Sequence, residues 1–306
     1  MVNDNLLKKG FVVMVIDIHA HITRTKTTTR ENGRTYTTPA ELLKIMKREG
    51  IDKAVLLPMP TPEGNHRIVS TEDVLEITAE YPDRFIPFCN IDPRAINNSE
   101  NTNFLPHLEY YKQAGCKGLG EMMANLPFDD PLVENLFAQC EAAEMPVLFH
   151  IGPRYRNCYG LIDDLHLPKL EAALQKFPNL IFIGHSQPFW SEISADVTEE
   201  NRNSYPKGKV ISGRVPELLR KYPNLYCDLS AGSGYNAVSR DPEFGYDFIE
   251  EFQDRLMFGT DVCYPDQETP LTNFLREALE RGKISLEIYE KVMWRNADRI
   301  LSLGLE

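Results

Sequence analysis

Eight short apolar runs, each followed by a stretch of helical character, constrain the fold of this chain more than any other feature. They are Val12 to Ile22 (VVMVIDIHAHI), Lys53 to Met59, Arg84 to Ile91, Lys117 to Met122 (KGLGEM), Pro146 to Ile151 (PVLFHI), Leu180 to His185 (LIFIGH), Leu225 to Leu229 (LYCDL) and Leu256 to Asp261 (LMFGTD). Runs of this length, rich in β-branched residues and bounded by turn residues, read as buried strands. Helix punctuation fills the gaps between them. Pro39 opens a helix over about 40–49 that Gly50 ends, and Ser70 or Thr71 caps one over 71–80. Further helices are expected at 104–114, 131–144, within 161–177, and at 215–222, 243–252, 271–281 and 286–303. Strict strand–helix alternation makes a parallel sheet, and eight units match a single-domain (β/α)8 barrel over residues 1–306.

At 306 residues two average domains would fit, but α/β barrels of this length commonly form one, and 42% hydrophobic content supplies the core. A net charge of −12 argues against a general nucleic-acid-binding surface, which would be basic. The six cysteines contain no CxxC pair, as expected of reduced thiols in a cytoplasmic protein. Lys8 and Lys9 precede an apolar run like that of a signal peptide, but Asp17 and His19 interrupt it early and no small-residue cleavage site follows. No run approaches the roughly eighteen apolar residues of a membrane span. The expected partner is a small-molecule substrate, with no nucleic acid and no membrane; a homo-oligomer is left open. The longest connection, Ser186 to Ser212, is polar, carries Trp190, Tyr205 and Pro206, and reads as an active-site cover.

Polar residues punctuate the strand ends. In VVMVIDIHAHI, alternation puts Asp17, His19 and His21 on one face, and three costly polar side chains on a buried strand need partners. His150, His185 and Asp261 each take the last inward position after apolar residues on their strands: Leu148 before His150, Ile183 before His185, Met257 and Gly259 before Asp261. Glu121 ends strand four, on the face of Lys117 and Leu119 by the same count. Neutral histidine is the commonest metal ligand, and in such barrels the C-terminal strand ends carry the chemistry. The gathering of these residues at one end therefore points to a metal centre. His66, His107 and His166 fall in loops or helices and read as solvated surface.

HxH on strand one, His on strands five and six, and Asp on strand eight in FGTD resemble the amidohydrolase superfamily, in its amidohydrolase-related branch, from Ile16 to about Leu303. The resemblance implies that His19, His21, His150 and Asp261 ligate one catalytic divalent ion, most readily Zn²⁺, with Mn²⁺ or Fe²⁺ as alternatives. It implies that Asp261 accepts a proton from the attacking water and passes it to the leaving group. Glu121 would bridge to a second ion if there is one, with His185 as a ligand; with one ion, His185 would bind the substrate's developing oxyanion. Asp17 is expected to hold an imidazole or a backbone group without touching the ion. Arg154 and Arg156, after His150, suit a substrate carboxylate. SAGSG at 230–234 reads either as small residues letting backbone N–H groups approach a ligand or as a tight turn. The activity so implied is metal-dependent hydrolysis of a lactone, amide or ester. A non-oxidative decarboxylase or hydratase of the same branch is the alternative, and a non-catalytic metal-binding protein a third reading.

Overall fold

Strand β1 (Ile16–Ala20) pairs in parallel with β2 (Lys53–Leu56), and β2 with β3 (Phe85–Pro87). A second run of parallel pairs joins β4 (Leu119–Met122), β5 (Val147–Gly152), β7 (Phe182–His185), β8 (Leu225–Asp228) and β9 (Leu256–Met257), while the two-residue β6 (Leu161–Ile162) adds to the end of β5. Bridges Cys89↔Leu119 and Ala20↔Val262 join the two runs into a ring. The seam is held by backbone bonds from Ile18 N to the Phe258 carbonyl and from Asp261 N to the His19 carbonyl, at 3.1 and 2.8 Å. The result in this computed structural model is the (β/α)8 barrel, described for residues 13–305 except 27, 31, 65 and 66. Lys8, Lys9, Val12 and His66 lie outside the described residues.

The outer ring comprises α1 (Pro39–Glu49), α2 (Thr71–Glu80), α3 (Leu105–Gln113), α4 (Pro131–Ala142), α5 (Pro168–Lys176), α6 (Gln187–Ser191), α7 (Arg214–Lys221), α8 (Ala231–Ser239), α9 (Pro242–Glu251), α10 (Pro270–Glu280), α11 (Leu286–Glu290) and α12 (Asn296–Leu301). Local chemistry starts and stops them where the sequence indicates. Ser70 and Asp73 exchange side-chain and backbone bonds at the start of α2, and Gly50 ends α1 in the left-handed conformation at φ 74°. The helix expected within 161–177 is α5, which Pro168 starts, while Leu161 and Ile162 add to β5. Two expectations need correction. SAGSG is not a tight turn: Ser230 stands at the N-cap position of α8, and the residues after it form the first turn of that helix. The helix expected over 286–303 is interrupted by a π-helical turn, Lys291–Arg295, where the Val292 carbonyl accepts from Phe258 N.

The barrel interior is packed by residues at every barrel strand except β4, among them Ile16, Ile18, Val55, Phe88, Leu148 and Ile183, and Ile300 and Leu301 of α12 join the same cluster. Between sheet and helices lies a larger shell in which Phe128, Phe137, Phe149 and Phe182 meet edge to face or tilted. Such aromatic pairs add about 0.5–1.5 kcal/mol each beyond their burial.

Two irregularities re-aim the polar strand ends. In β1 the pairing passes from Asp17↔Ala54 to Ala20↔Leu56, three residues advancing against two. In β4 it passes from Leu119↔Val147 to Met122↔Phe149, again three against two. Bulges of this kind next to sites redirect a side chain. Ile16 and Ile18 pack in the interior, whereas Ala20 and Ile22 pack in the shell, so His19 and His21 take the interior side after the bulge. Asp17 therefore does not share their face. In β4, Leu119 and Met122 both pack in the shell, and Glu121 does not share the face of Leu119.

Candidate metal centre

Seven of the eight barrel strands deliver a polar group to one end of this ring, and their donor atoms converge. His19 Nε2 lies 3.0 Å from His21 Nε2, 3.5 Å from Glu121 Oε2 and 3.4 Å from Asp261 Oδ1. His21 Nε2 is 3.1 Å from the same Glu121 oxygen. The other oxygen of Glu121, Oε1, is 2.7 Å from His150 Nδ1 and 3.8 Å from His185 Nε2. Glu121 thus stands between two donor sets. Gly120 lets β4 come this close, since a Cβ there would lie 2.7 Å from the Leu148 carbonyl oxygen.

Hydrogen bonds behind the donors fix which ring nitrogen faces the centre. His19 Nδ1 donates to Asp228 Oδ2 at 2.6 Å, and His21 Nδ1 to the Leu57 carbonyl at 3.2 Å. His185 Nδ1 is 3.1 Å from both Ser230 Oγ and Asp228 Oδ2, two acceptors that place the proton on Nδ1. The Nε2 atoms of all three rings are then free to donate lone pairs. Asp17 accepts from His19 N, Thr260 N and Thr260 Oγ1, holding the bulge of β1 to the turn before Asp261. Asn90 donates to the Glu121 carbonyl at 2.6 Å.

The charges of this box call for a cation. Glu121 and Asp228 are buried, and Asp261 is one-quarter exposed, at 26%. Burial opposes ionisation of Glu121, yet His150 and His19 hold its carboxyl well below the usual range. Burial likewise opposes ionisation of Asp228, and His19 and His185 overcome it to hold that group low. Against its own burial, His19 is driven well above its ordinary value by Asp261, Asp228 and Glu121. Burial pushes His150 down, and burial raises Asp17 to about 7 against its hydrogen bonds from Thr260. Buried carboxylates left unpaired are costly, and a site that pulls a proton onto a buried imidazole suits a metal ion instead. Ligands about 2.0–2.1 Å from a tetrahedral ion lie roughly 3.3 Å apart, within the range of the donor separations around His19 Nε2. The residues fit a divalent ion.

Arg154 and Arg156 are both exposed on the loop between β5 and β6, with the Arg156 guanidinium 5.1 Å from the Tyr155 ring centre. Another cation approaches the centre. Arg30 is half-buried, donates from Nη1 to Cys263 Sγ at 2.8 Å, and lies over the Tyr36 ring; no carboxylate pairs with it among the described residues. Burial and Asp261 push the Cys263 thiol up to about 11, with Arg30 opposing. The Tyr159 ring lies 4.5 Å from that of His150, and its hydroxyl is raised by burial and by Glu121 and Asp261. Of the histidines read as surface, His107 and His166 are both exposed, and His166 also donates from its backbone N–H and its ring to the buried Glu192. The connection 186–212 is not structureless. It contains α6, closes on itself through the Ser194↔Ser212 bridge, and is tied down by the Trp190 indole donating to the Asp228 carbonyl at 2.9 Å.

The profile of the amidohydrolase family matches residues 16–303, and the chain belongs to that family. Its fold is similar to that of an uncharacterised TIM-barrel protein from Bordetella bronchiseptica, at 20% identity and a TM-score of 0.61 over 94% of this chain and 98% of that one. It is also similar to a probable 2-pyrone-4,6-dicarboxylic acid hydrolase from Acinetobacter baumannii (14% identity, TM-score 0.57, 94% and 99% covered). A third is a dihydroxybenzoic acid decarboxylase from a Polaromonas species with bound manganese (16% identity, TM-score 0.57, 96% and 98% covered). No curated protein sequence matches the chain.

Proposed function

We propose that this enzyme is a metal-dependent hydrolase that opens a lactone, amide or ester bond of a small carboxylated substrate. The observation that carries this reading is the two-sided placement of Glu121, one oxygen toward His19 and His21 and the other toward His150 and His185. On this reading His19, His21, Asp261 and Glu121 hold one divalent ion, and Glu121, His150 and His185 form the donor set for a second. A bound divalent ion supplies Lewis-acid polarisation of the scissile carbonyl and a lowered pKa for coordinated water. Zinc suits the mixed nitrogen and oxygen donors, with manganese or iron as alternatives.

The rest is done by the chain's own groups. Asp261, the most open of the three carboxylates at 26%, carries a proton from the attacking water to the leaving group. His185 has its Nδ1 proton committed to Asp228 and Ser230, so its Nε2 acts as a ligand atom in preference to a donor toward an oxyanion. Asp17 keeps the backbone of His19 and Thr260 in register and touches no ion. Arg30, which has no carboxylate partner among the described residues, takes the substrate carboxylate in place of Arg154 and Arg156. The segment 186–212 covers the mouth. A second reading, a non-oxidative decarboxylase or hydratase, is favoured by the decarboxylase among the similar structures. A panel of carboxylated lactones, amides, esters and hydroxybenzoates separates the two: bond opening without CO2 supports hydrolysis, and CO2 release with protonation of the carbon supports the lyase.

A further inference from the structure

Asp228 is fully buried at the end of β8 and shares one oxygen among three groups. Oδ2 accepts from His19 Nδ1 at 2.6 Å and from Ser230 Oγ at 2.7 Å and pairs with His185 Nδ1 at 3.1 Å, which lies at the same distance from Ser230 Oγ, while Oδ1 accepts from Ser230 N at 2.8 Å. Gly259 leaves room for it, since a Cβ there would lie 2.7 Å from Asp228 Oδ1. Asp228, His19 and His185 also form a cluster of metal-ligand types. Asp228 meets His19 and His185 on their Nδ1 side, away from the Nε2 atoms that face Glu121, so it acts from behind the donors as a hydrogen-bond acceptor.

We infer that Asp228 is a positioning residue that fixes the ring nitrogen presented by His19 and His185 together, and so ties the two donor sets into one unit. His19 belongs to one set and His185 to the other. Glu121 joins the sets through their metal-facing atoms, and Asp228 joins them from behind through Nδ1. The carboxylate accepts on both oxygens, whereas an amide would turn its nitrogen either to the imidazole N–H groups or to the Ser230 N–H, donor against donor, and would carry no charge. Asp228→Asn thus leaves the imidazoles less firmly held and freer to place a proton on Nε2, where it blocks coordination.

The inference rests on His19 and His185 being ligands, and two measurements keep the two ideas apart. The first is metal titration of the chelator-stripped full chain with Zn²⁺ against a competing chelator. Asp228→Asn should weaken binding about 10- to 100-fold, as outer partners of ligating histidines typically do. A folded Asp228→Asn chain with wild-type affinity overturns the inference, and a wild-type chain that binds no Zn²⁺ overturns the metal reading and the inference with it. The second is long-range ¹⁵N–¹H NMR of the histidine rings in the unmutated metal-free chain, which stands even where Asp228→Asn fails to fold. A proton on Nδ1 of both His19 and His185 is expected, whether or not Nε2 also carries one, and a ring whose Nδ1 carries no proton overturns the positioning role.

Discussion

His19 Nε2 and His21 Nε2 face each other at 3.0 Å although both rings spend their Nδ1 protons elsewhere, on Asp228 and on the Leu57 carbonyl. With Nδ1 protonated on both rings, the two Nε2 atoms would turn lone pair toward lone pair unless a proton or a metal cation sits between or beside them. From this pair the chemistry of the mouth follows.

Removing the negative charge of Glu121 without changing its shape tests its double role. Glu121→Gln should lower the metal content from two ions per chain to one or fewer, measured by elemental analysis after dialysis. Unchanged content of two would retire Glu121 as the shared ligand.

Asp261 carries the proton on this account, so its amide variant should bind substrate and fail in chemistry. Asp261→Asn should lower kcat by about 10²- to 10⁴-fold, the usual contribution of a positioned acid or base, with a folded barrel by circular dichroism. Near-normal kcat would remove Asp261 from that role.

Arg30 should act on binding. Arg30→Gln should raise KM for a carboxylated substrate roughly 10- to 100-fold with kcat little changed, as loss of a charged hydrogen bond of about 1.5–3 kcal/mol requires. Arg154→Gln and Arg156→Gln should leave both constants near wild type. The reverse pattern would return the carboxylate to the β5–β6 loop.

One pH effect lies away from the mouth. Glu171 on α5 is clasped by Lys221, by the Tyr222 hydroxyl and by Arg214 at the start of α7, and is lowered to about 2, first through its bond with Lys221. A depressed carboxyl stabilises the fold above its unfolded pKa of about 4.3, and that contribution is lost as pH falls toward 2. Glu171→Gln should therefore cost about 1–2 kcal/mol at neutral pH after allowance for partial exposure, and almost nothing near pH 2, by denaturant unfolding. A pH-independent difference would contradict the clasp.

Much of this was legible in the residues because alternation holds on β5 and β7. Leu148 and Ile183 are interior, and His150 and His185 follow two residues later. The same count on β8 runs from Tyr226 in the interior to Asp228, so Asp228 was readable, but extending that strand to Leu229 and its end to Ser230 hid it. The bulges in β1 and β4 have no signature in composition, and so Asp17 and Glu121 were given the wrong neighbours although Glu121 reaches the centre. Arg30 escaped because a polar loop carries no period from which a side chain's direction follows. SAGSG misled because three small residues and a serine suit a turn, whereas Ser230 stands at the N-cap position of a helix whose Gly234 lies where a Cβ would be 2.3 Å from the Leu229 carbonyl.

The central claim is that the facing histidines hold a divalent ion. Anomalous scattering from crystals of the full chain, purified without chelator and supplied with Zn²⁺ or Mn²⁺, tests it most directly. The account predicts a peak bonded to His19 Nε2, His21 Nε2 and Glu121 Oε2. A mouth with no anomalous peak, and protonated imidazoles hydrogen-bonded to Glu121 in its place, would contradict it.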